Sequence, residues 1–415
     1  MRIGLVTQWF PPEPGMVVAA AIADGLAERG HRVEILTGFP NYPTGKLQEG
    51  YPLQRYRRDE RSPRVTVHRA PLYPSHDTSS WKRMVNYLSF AAAASWVGRR
   101  HVPQPDAWLV YSSPATAAIP ALLSAGRSRT PIYLLIEDLW PDSVTQSGLV
   151  AGAANPFVDA ILHKFCNWTY QRAAGIGVIS PSMKPLLVDR GADEAKIVYT
   201  PNWVDAVQDP GPQPPSELRR ALGLPAGRLF MYAGNMGELQ GLEPLVRAFT
   251  HVPSARLVLI GGGVARPRLE DLVRGEQITN VSFLDPQPTS IIGRYVSASD
   301  IQVVSLKDTP LLRATMPSKV QSSLAAGKPV LVHAAGDVAS LVSENGLGAV
   351  CQPGDLEETT KAITSLASRP TADLVEMGQR SRAFYTSEFS AGAGLDRLES
   401  LLLGNRPTAQ VGRQT

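Results

Sequence analysis

A stretch near residue 318 combines a predicted helix start with a positively charged side chain. Pro317 suits the first turn of a helix, where its missing N–H group is not needed, and Ser318 and Lys319 follow it. Unpaired backbone N–H groups at a helix N-terminus, together with an ammonium group, favour phosphate binding. Gly327 is expected to end this helix before a strand at 330–332. On this stretch alone, a phosphate site and an ordinary helix-to-strand connection with a surface lysine are equally good interpretations.

Two adjacent carboxylates, Glu137 and Asp138, follow the apolar run at 131–136. In an open parallel sheet, ligands bind beyond the carboxyl ends of the strands, so acids at this point are plausible site residues. One of them could take a proton from an acceptor hydroxyl or stabilise positive charge that develops on a sugar. The alternative is structural, with Asp138 or Asp142 capping the next helix. We favour the catalytic interpretation.

Two glycine-rich turns follow predicted strands in the second half of the chain. Gly234 and Asn235 come after the strand at 229–232, and glycines 261–263 come after the strand at 257–260. Such turns let backbone N–H groups approach a ligand closely. Because the carboxyl ends of parallel strands share one sheet edge, the two turns and Lys319 should converge there. Together they predict a site for a nucleoside diphosphate.

The first 75 residues begin with a strand at 3–6, a proline-rich loop, a helix at 16–29 and a strand at 33–36. The loop contains Gly15, which could bring a backbone N–H to a substrate phosphate or serve only as a hinge; a Gly-x-Gly-x-x-Gly fingerprint is absent. A long insertion opens near Tyr42 and carries interleaved Tyr and Arg residues. It could hold an acceptor that carries a diphosphate, or its arginines could form a solvated basic face.

The composition fits two α/β domains. The chain has 415 residues, which is more than one ordinary hydrophobic core holds. Hydrophobic residues make up 43% and charged residues 19%, as in soluble globular proteins. A net charge of +4 favours anionic partners such as sugar nucleotides or a membrane surface, but it is too weak to indicate nucleic acid. Cys166 and Cys351 lie far apart, which predicts a reduced cytoplasmic protein. The proline-rich run at 209–215 predicts a linker, and the residues after 404 predict a disordered tail.

No apolar run predicts a signal peptide or a membrane span, because none reaches roughly 18 residues. The nearest candidate is a helix at 84–98, which lies between two pairs of basic residues, 82–83 and 99–100. A buried helix with solvated ends is the favoured interpretation, and the basic flanks leave association with an anionic membrane surface open.

Six motifs, in order along the chain, make it resemble the family 4 glycosyltransferases of GT-B fold, in the bacterial branch of colanic-acid and fucosamine-type transferases. They are Pro-Glu-Pro-Gly at 12–15, Pro-Asn-Tyr-Pro at 40–43, Glu-Asp-Leu-Trp-Pro-Asp-Ser at 137–143, Pro-Asn-Trp at 201–203, Tyr-Ala-Gly-Asn-Met-Gly at 232–237, and Met-Pro-Ser-Lys with Leu-Ala-Ala-Gly-Lys-Pro-Val within 316–330. The resemblance implies an α/β protein with two Rossmann-like domains facing a cleft. The acceptor domain would span 1–205, the linker 206–222, the nucleotide-sugar domain 223–376, the crossover helices that pack back on the first domain 377–403, and the tail 404–415.

The resemblance also implies roles for particular residues. The donor would bind at Gly234, Asn235, Gln240, Pro317, Ser318, Lys319 and Ser322. The acceptor or phosphate loop would include Gly15 and Tyr42. Many relatives have His-Asp where this chain has Glu137-Asp138, and of the two we prefer Asp138 as the catalytic residue. The chain departs from the family at a pair of donor-binding glutamates, whose positions are taken by Ala314 and Ser322. Recognition of the ribose must therefore come from elsewhere or be weaker.

The resemblance implies a retaining glycosyltransferase of hexosyl or N-acetylhexosaminyl type that needs no metal or cofactor. It would move a sugar from a nucleoside-diphosphate sugar to a lipid-linked or other glycan acceptor in cell-surface polysaccharide biosynthesis. A UDP-sugar is the favoured donor. The expected location is cytoplasmic, with peripheral contact to the inner face of the plasma membrane through the N-terminal domain. The alternatives are a nucleotide-sugar epimerase of GT-B fold and a catalytically silent scaffold of a membrane biosynthetic complex.

Overall fold

The computed structural model of the chain describes residues 1–14, 16–75, 80–142, 156–203 and 215–404. The chain forms two compact units. The first contains Met1–Asn202 and Gly394–Thr415, and the second contains Trp203–Ala393. Each unit is built around its own largely parallel β-sheet, which confirms the predicted α/β fold class with two Rossmann-like domains.

In the described part of the first unit, eight strands form one sheet in the order β3-β4-β2-β1-β5-β6-β7-β8. Neighbours are parallel except β3 and β4, which are antiparallel. Near-continuous apolar runs form the central strands, because helices cover a parallel sheet on both faces. The strands are β1 Arg2–Val6, β2 Arg32–Gly38, β3 Arg57–Ser62, β4 Val65–Ala70, β5 Ala107–Ser112, β6 Ile132–Ile136, β7 Gly175–Val178 and β8 Ile197–Tyr199.

The helices of the first unit connect these strands, and the last one arrives from the C-terminal end of the chain. Glu399 on that last helix accepts a hydrogen bond of 2.8 Å from Arg29 and lies 2.7 Å from His31 Nε2, which fastens the helix to the first unit. The helices are Val17–Glu28, Ser80–Arg100, Ala118–Ser128, Pro156–Arg172, Met183–Asp189 and Ala391–Leu402, with 3₁₀ turns at Ala115–Ala117 and Glu194–Lys196.

The second unit contains a parallel sheet of six strands within the described residues, in the order β11-β10-β9-β12-β13-β14. The chain winds outward from β9 in one direction and from β12 in the other. The point between β9 and β12 is therefore a topological switch point, where ligands bind in folds of this kind. The strands are β9 Arg228–Ala233, β10 Ala255–Ile260, β11 Val281–Leu284, β12 Ile301–Ser305, β13 Val330–His333 and β14 Gly348–Cys351.

The helices of the second unit pack on its sheet around buried aliphatic and aromatic side chains. Phe230 on β9 and Phe249 on the following helix meet edge to face, with ring centroids 5.3 Å apart. The helices are Pro215–Ala221, Leu242–Phe249, Arg266–Gly275, Thr289–Ala298, Pro310–Arg313, Ser318–Ala325, Asp337–Glu344, Leu356–Ser368 and Thr371–Glu388, with a 3₁₀ turn at Glu238–Gln240.

Two segments differ from the expectations drawn from the sequence. The predicted linker at 206–222 contains the helix Pro215–Ala221, whose buried Leu218 belongs to the core of the second unit; residues 204–214 lie outside the described residues. The segment 377–403, expected to return to the first domain, divides at Ala393 and Gly394. The helix Thr371–Glu388 stays with the second unit because Gly378 lies directly against the backbone of Gly327.

The aromatic and basic insertion contributes the edge strand β3. Arg57 and Arg69 lie over the ring of Tyr51, at 4.5 and 4.9 Å from its centroid, and both pair with Asp59. These two arginines are therefore engaged within the unit. Both cysteines are buried free thiols, and no helix in the described ranges is long and apolar enough to cross a membrane. Residues 405–415 of the predicted tail lie outside the described residues.

Candidate active site

Lys319 lies at the N-terminus of the helix Ser318–Ala325, directly after Pro317. Its Nζ sits 5.2 Å from the centroid of the Tyr232 ring, which gives the ammonium group a cation–π contact. Burial alone lowers the pKa of Lys319 from its ordinary value of 10.5, and no carboxylate among the described residues pairs with it. A half-buried cation at a helix N-terminus without a counter-ion is well suited to an anionic ligand.

The two glycine turns meet beside Lys319. A Cβ on Gly234 would lie 2.6 Å from Lys319 Cε, and a Cβ on Gly261 would lie 2.1 Å from the carbonyl oxygen of Gly234. Both glycines have positive φ angles, 139° and 138°, which side-chain-bearing residues rarely adopt. The Tyr232 hydroxyl donates a hydrogen bond of 2.5 Å to the carbonyl of Asn235 and holds the first turn in place. The predicted convergence of both turns and Lys319 is therefore observed within the second unit.

Gln240 and Ser322 are engaged in contacts within their own segments. Gln240 accepts a hydrogen bond of 2.9 Å from the backbone N–H of Gly237 through its side-chain oxygen. Ser322 donates a hydrogen bond of 3.0 Å to the carbonyl of Ser318, one helical turn back. Ala314, at the other position where the family has a glutamate, is buried. The side chains at 314 and 322 therefore place no carboxylate beside the glycine turns.

A cavity of about 660 Å³ lies elsewhere in the second unit and reaches the first glycine turn only at Gly237 and Glu238. The basic side chains that line it already have acidic partners: Lys307 and Arg268 pair with Glu238, and Arg247 pairs with Glu243. Lys319 does not line this cavity. Because its cations are already neutralised, the cavity is a poorer diphosphate site than the surroundings of Lys319.

The first unit has its own switch point, between β1 and β5, and a cavity of about 200 Å³ lies there. Tyr42 lines the cavity, together with residues at or just after the ends of β1 and β5. The lining residues are Thr7, Trp9, Met16, Val18, Ala19, Tyr42, Tyr111 and Ser113. Gly15 lies outside the described residues.

Glu137 and Asp138 follow β6, as predicted, and each is held by a residue near this cavity or near the end of β8. Asp138 is exposed, and its Oδ2 accepts a hydrogen bond of 3.0 Å from the Ser113 hydroxyl. Glu137 Oε2 accepts a hydrogen bond from Asn202 Nδ2. Burial raises the pKa of Glu137 to about 8. The Asp138 side chain is accessible, but surrounding protein removes part of the water around its carboxyl and raises the pKa of that acid as well, against the hydrogen bond from Ser113. The two neighbouring acids therefore have different environments, which is the arrangement that lets adjacent carboxyls take different roles.

Glu13 holds the two loops that form one side of the cavity. Its Oε1 accepts hydrogen bonds from the backbone N–H groups of Asn41 (2.8 Å) and Tyr42 (2.9 Å), and its Oε2 accepts one from Phe10 (2.9 Å). The Tyr42 ring also lies 5.9 Å from that of Trp9, measured between centroids. The Pro-Glu-Pro-Gly and Pro-Asn-Tyr-Pro motifs are thus joined through one buried carboxylate.

The sequence did not identify Glu13, Tyr111, Ser113, Asn202 or Tyr232 as site residues. Tyr111 and Tyr232 lie inside apolar strands, so their patterns indicate core positions. Ser113 and Asn202 follow strands at the carboxyl edge, which is the signal that could have identified them. Among the described residues, no group of three or more His, Cys, Asp or Glu side chains is placed to hold a metal ion.

Two family models cover most of the chain. Residues 15–203 match a glycosyl transferase 4-like domain, and residues 227–369 match glycosyl transferases group 1. WcaI of Escherichia coli (strain K12), which carries the name of a colanic acid biosynthesis glycosyl transferase, is 26% identical over 321 residues, covering 75% of this chain and 78% of WcaI. WbjE of Pseudomonas aeruginosa, named as a glycosyltransferase, is 23% identical over 269 residues, covering 64% of this chain and 66% of WbjE.

Solved structures share the fold at low sequence identity. Anabaena Alr3699/HepE in complex with UDP has a TM-score of 0.71 at 15% identity, covering 97% of this chain and all (100%) of HepE. Sucrose-phosphate synthase from Thermosynechococcus elongatus has a TM-score of 0.69 at 18% identity, covering 97% of this chain and 98% of that one. At these identities the likeness concerns the fold alone.

Proposed function

Because the chain belongs to the group 1 glycosyltransferases, with a glycosyl transferase 4-like domain before the group 1 domain, we propose that it moves a sugar from a nucleoside-diphosphate sugar to a hydroxyl of a lipid-linked or other glycan acceptor. In this reaction the acceptor oxygen bonds to the anomeric carbon, and the bond from that carbon to the diphosphate breaks. The hydroxyl proton leaves to a base. The name of WcaI supports a role in cell-surface polysaccharide biosynthesis.

The observation that carries the proposal is the half-buried Lys319, which has no acidic partner among the described residues and lies beside Gly234 and the second glycine turn. The donor diphosphate would bind the Lys319 ammonium group, the N-terminal N–H groups of the helix Ser318–Ala325, and the turn at Gly234 and Asn235. Gln240 would contact the diphosphate only after releasing its hydrogen bond to Gly237. These groups supply charge and N–H donors, which are the interactions a diphosphate needs.

UDP is the nucleotide we propose, on the strength of the UDP complex of HepE. A serine at 322 can offer the ribose one hydroxyl after breaking its hydrogen bond to Ser318, so we expect weaker ribose binding than a glutamate would give. We propose a hexosyl or N-acetylhexosaminyl sugar, retained in its anomeric configuration, and catalysis without a metal ion.

The acceptor is proposed to bind at the β1–β5 switch point of the first unit. Tyr42 and Trp9 offer aromatic faces to a sugar ring, and the loop that contains Gly15 would approach a phosphate. Asp138, exposed and hydrogen-bonded to Ser113, is the proposed base for the acceptor hydroxyl. Glu137 is its neighbour in the site, with a role argued in the next subsection.

The helix Ser80–Arg100 is the proposed contact with the inner face of the plasma membrane. Trp81, Leu88 and Trp96 are 68%, 50% and 52% exposed and lie seven and eight residues apart, which puts them on one side of the helix. Arg99 and Arg100 lie in its last turn and would attract anionic lipid. Such a surface fits a cytoplasmic enzyme that acts on lipid-linked acceptors.

The test combines UDP-, GDP-, dTDP- and ADP-sugars with a lipid-linked acceptor fraction and follows labelled sugar in the product by NMR, with and without EDTA. Transfer from a UDP-sugar that requires acceptor, resists EDTA and retains the anomeric configuration supports the proposal. A sugar product formed without acceptor would indicate an epimerase instead.

A second candidate function rests on Ala314 and Ser322, which replace the glutamates that the family uses near the donor. A catalytically silent scaffold of a membrane biosynthetic complex would carry such replacements without cost. A scaffold would show no turnover with any donor and would not bind nucleotide at millimolar concentration. A transferase would show turnover and would bind the nucleotide.

A further inference from the structure

Asn202 connects the loop after β8 to the carboxyl group after β6. Its Nδ2 donates a hydrogen bond to Glu137 Oε2, although β7 lies between β6 and β8 in the sheet. The amide therefore reaches across the carboxyl end of the intervening strand. The amide binds one oxygen of Glu137, Oε2, and does not bind the other, Oε1.

Glu137 Oε1 is buried and, among the described residues, has no hydrogen-bond partner in good geometry. The Tyr111 hydroxyl is the group that interacts with this carboxyl besides Asn202 and Asp138. The titratable groups that face this carboxyl are Tyr111 from β5 and the adjacent Asp138, and no cation in the described part of the chain pairs with it. An ionised carboxylate in this position would be desolvated and would face a second acid and no cation, which is unfavourable. A protonated oxygen instead has a hydrogen that it can donate to a ligand.

Burial raises the pKa of Glu137 to about 8, and the neighbouring Asp138 raises it too, although hydrogen bonds from Asn202 and Tyr111 lower it. The carboxyl is therefore mostly protonated at neutral pH. Because Oε2 accepts the N–H of Asn202, the proton belongs on Oε1. The Tyr111 phenol stays neutral, since burial and the two acids raise its pKa well above the ordinary value.

We propose that Asn202 is a positioning residue that orients Glu137 so that Oε1 donates a hydrogen bond to an oxygen of the bound saccharide substrate. This proposal deepens the transferase function and depends on it for the identity of the ligand. It also divides the labour between two adjacent acids: Glu137 is a neutral donor, and Asp138 is the base. A neutral Glu137 leaves fewer negative charges at the end of β6, which favours the binding of a phosphorylated acceptor.

The first test needs no enzyme activity. The melting temperatures of the wild type and of Glu137→Gln are compared from about pH 5 to about pH 9. A carboxyl whose folded pKa is raised to about 8 from 4.5 loses stabilising free energy as the pH rises between these values, and the uncharged glutamine does not. The melting temperature of Glu137→Gln, relative to the wild type, should therefore rise with pH and level off above about pH 8. A constant difference would overturn the protonation of Glu137.

Asn202→Ala should change the pH at which Glu137 ionises in the folded protein, which the loss of a merely structural residue would not do. Removing the N–H donor takes away a contact that lowers the pKa of Glu137. The melting-temperature difference between Asn202→Ala and Asn202→Ala/Glu137→Gln is therefore followed against pH. It should level off at a higher pH than the difference between the wild type and Glu137→Gln. Asn345→Ala is the control, because Asn345 is an exposed asparagine whose amide donates to the carbonyl of Leu341, one turn back in its own helix. An unshifted midpoint in Asn202→Ala would overturn the positioning role.

The second test uses kcat/KM for sugar transfer. Glu137→Gln keeps an N–H donor in place of the O–H and should lose less than about tenfold, with no fall in rate through pH 8, whereas Glu137→Ala should lose at least about 100-fold. Equal losses in both variants would overturn the donor role. If no variant transfers sugar but the stability midpoints behave as expected, the transferase function fails while the proton on Glu137 stands.

Discussion

Gly234 and Lys319 are in direct contact: a Cβ added to Gly234 would lie 2.6 Å from Lys319 Cε. The Lys319 side chain can therefore occupy its position only because residue 234 has no side chain. This relationship makes the donor site testable at a residue that carries no charge.

Gly234→Ala should weaken UDP binding by at least about tenfold. The alanine would push the lysine side chain aside, and its φ of 139° would be strained, at a cost of about 1–3 kcal/mol in folding free energy. Titration calorimetry and thermal melting measure the two effects. Gly275→Ala is the matched control, because no described atom beyond its chain neighbours and the adjacent backbone of its own helix lies within 4 Å of its added Cβ. A well-folded Gly234→Ala with wild-type affinity would contradict the arrangement.

The affinity for UDP should fall at alkaline pH sooner than an ordinary lysine would predict. Burial lowers the pKa of Lys319 from 10.5, and only the charged ammonium attracts the diphosphate. Affinity is therefore steady below the lowered pKa and declines by up to about tenfold per pH unit above it. Lys319→Arg should show no such decline, since its guanidinium stays charged, and it also corrects for titration of UDP. Identical pH profiles for both proteins would argue against contact between Lys319 and the phosphates.

Glu13→Ala should lower the free energy of unfolding by about 3 kcal/mol, because three backbone N–H groups lose their acceptor. Urea denaturation measures this change, and Tyr42 should become more accessible to chemical modification. Glu60→Ala, which removes only an exposed partner of Arg58, should change stability by less than about 1 kcal/mol. Equal effects from the two substitutions would show that Glu13 does not hold the loops.

Trp81→Ser combined with Trp96→Ser should reduce binding to vesicles that contain phosphatidylglycerol, as measured by co-sedimentation, while binding to pure phosphatidylcholine stays low in all proteins. Two exposed indoles and the basic end of the helix supply the proposed membrane contact. Trp168→Ser is the control, since Trp168 is 41% exposed on another helix of the same unit. Unchanged binding in the double variant, or equal loss in the control, would place the membrane contact elsewhere or remove it.

Much of the fold could be predicted because buried parallel strands are short apolar runs. Residues 3–6 and 301–304, for example, lie in β1 and β12. The edge strand β3 was missed because its run of charged residues, Arg57 to Glu60, resembles a solvated loop. The helix Pro215–Ala221 was missed because a proline-rich run precedes it, although Leu218 fills a core position.

The site was only partly predictable, for a different physical reason. Lys319, Gly234, Glu137 and Asp138 follow or precede regular elements, so sheet topology places them. The partners that tune them are set by tertiary contacts between distant segments. Asn202 meets Glu137 across 65 positions of sequence, and Glu13 meets Tyr42 across 29, so no local pattern specifies either pair.

The most direct test of the account is the affinity of UDP for the wild type and for Lys319→Ala, measured by titration calorimetry without added metal. Lys361→Ala serves as the control, because Lys361 is exposed and paired with Glu357 in the same unit. We expect the wild type and the control to bind UDP with equal affinity. Lys319→Ala, still folded, should bind UDP at least about tenfold more weakly, because a charge-assisted hydrogen bond is lost. Equal affinity in all three proteins, or no binding to a folded wild type, would contradict it.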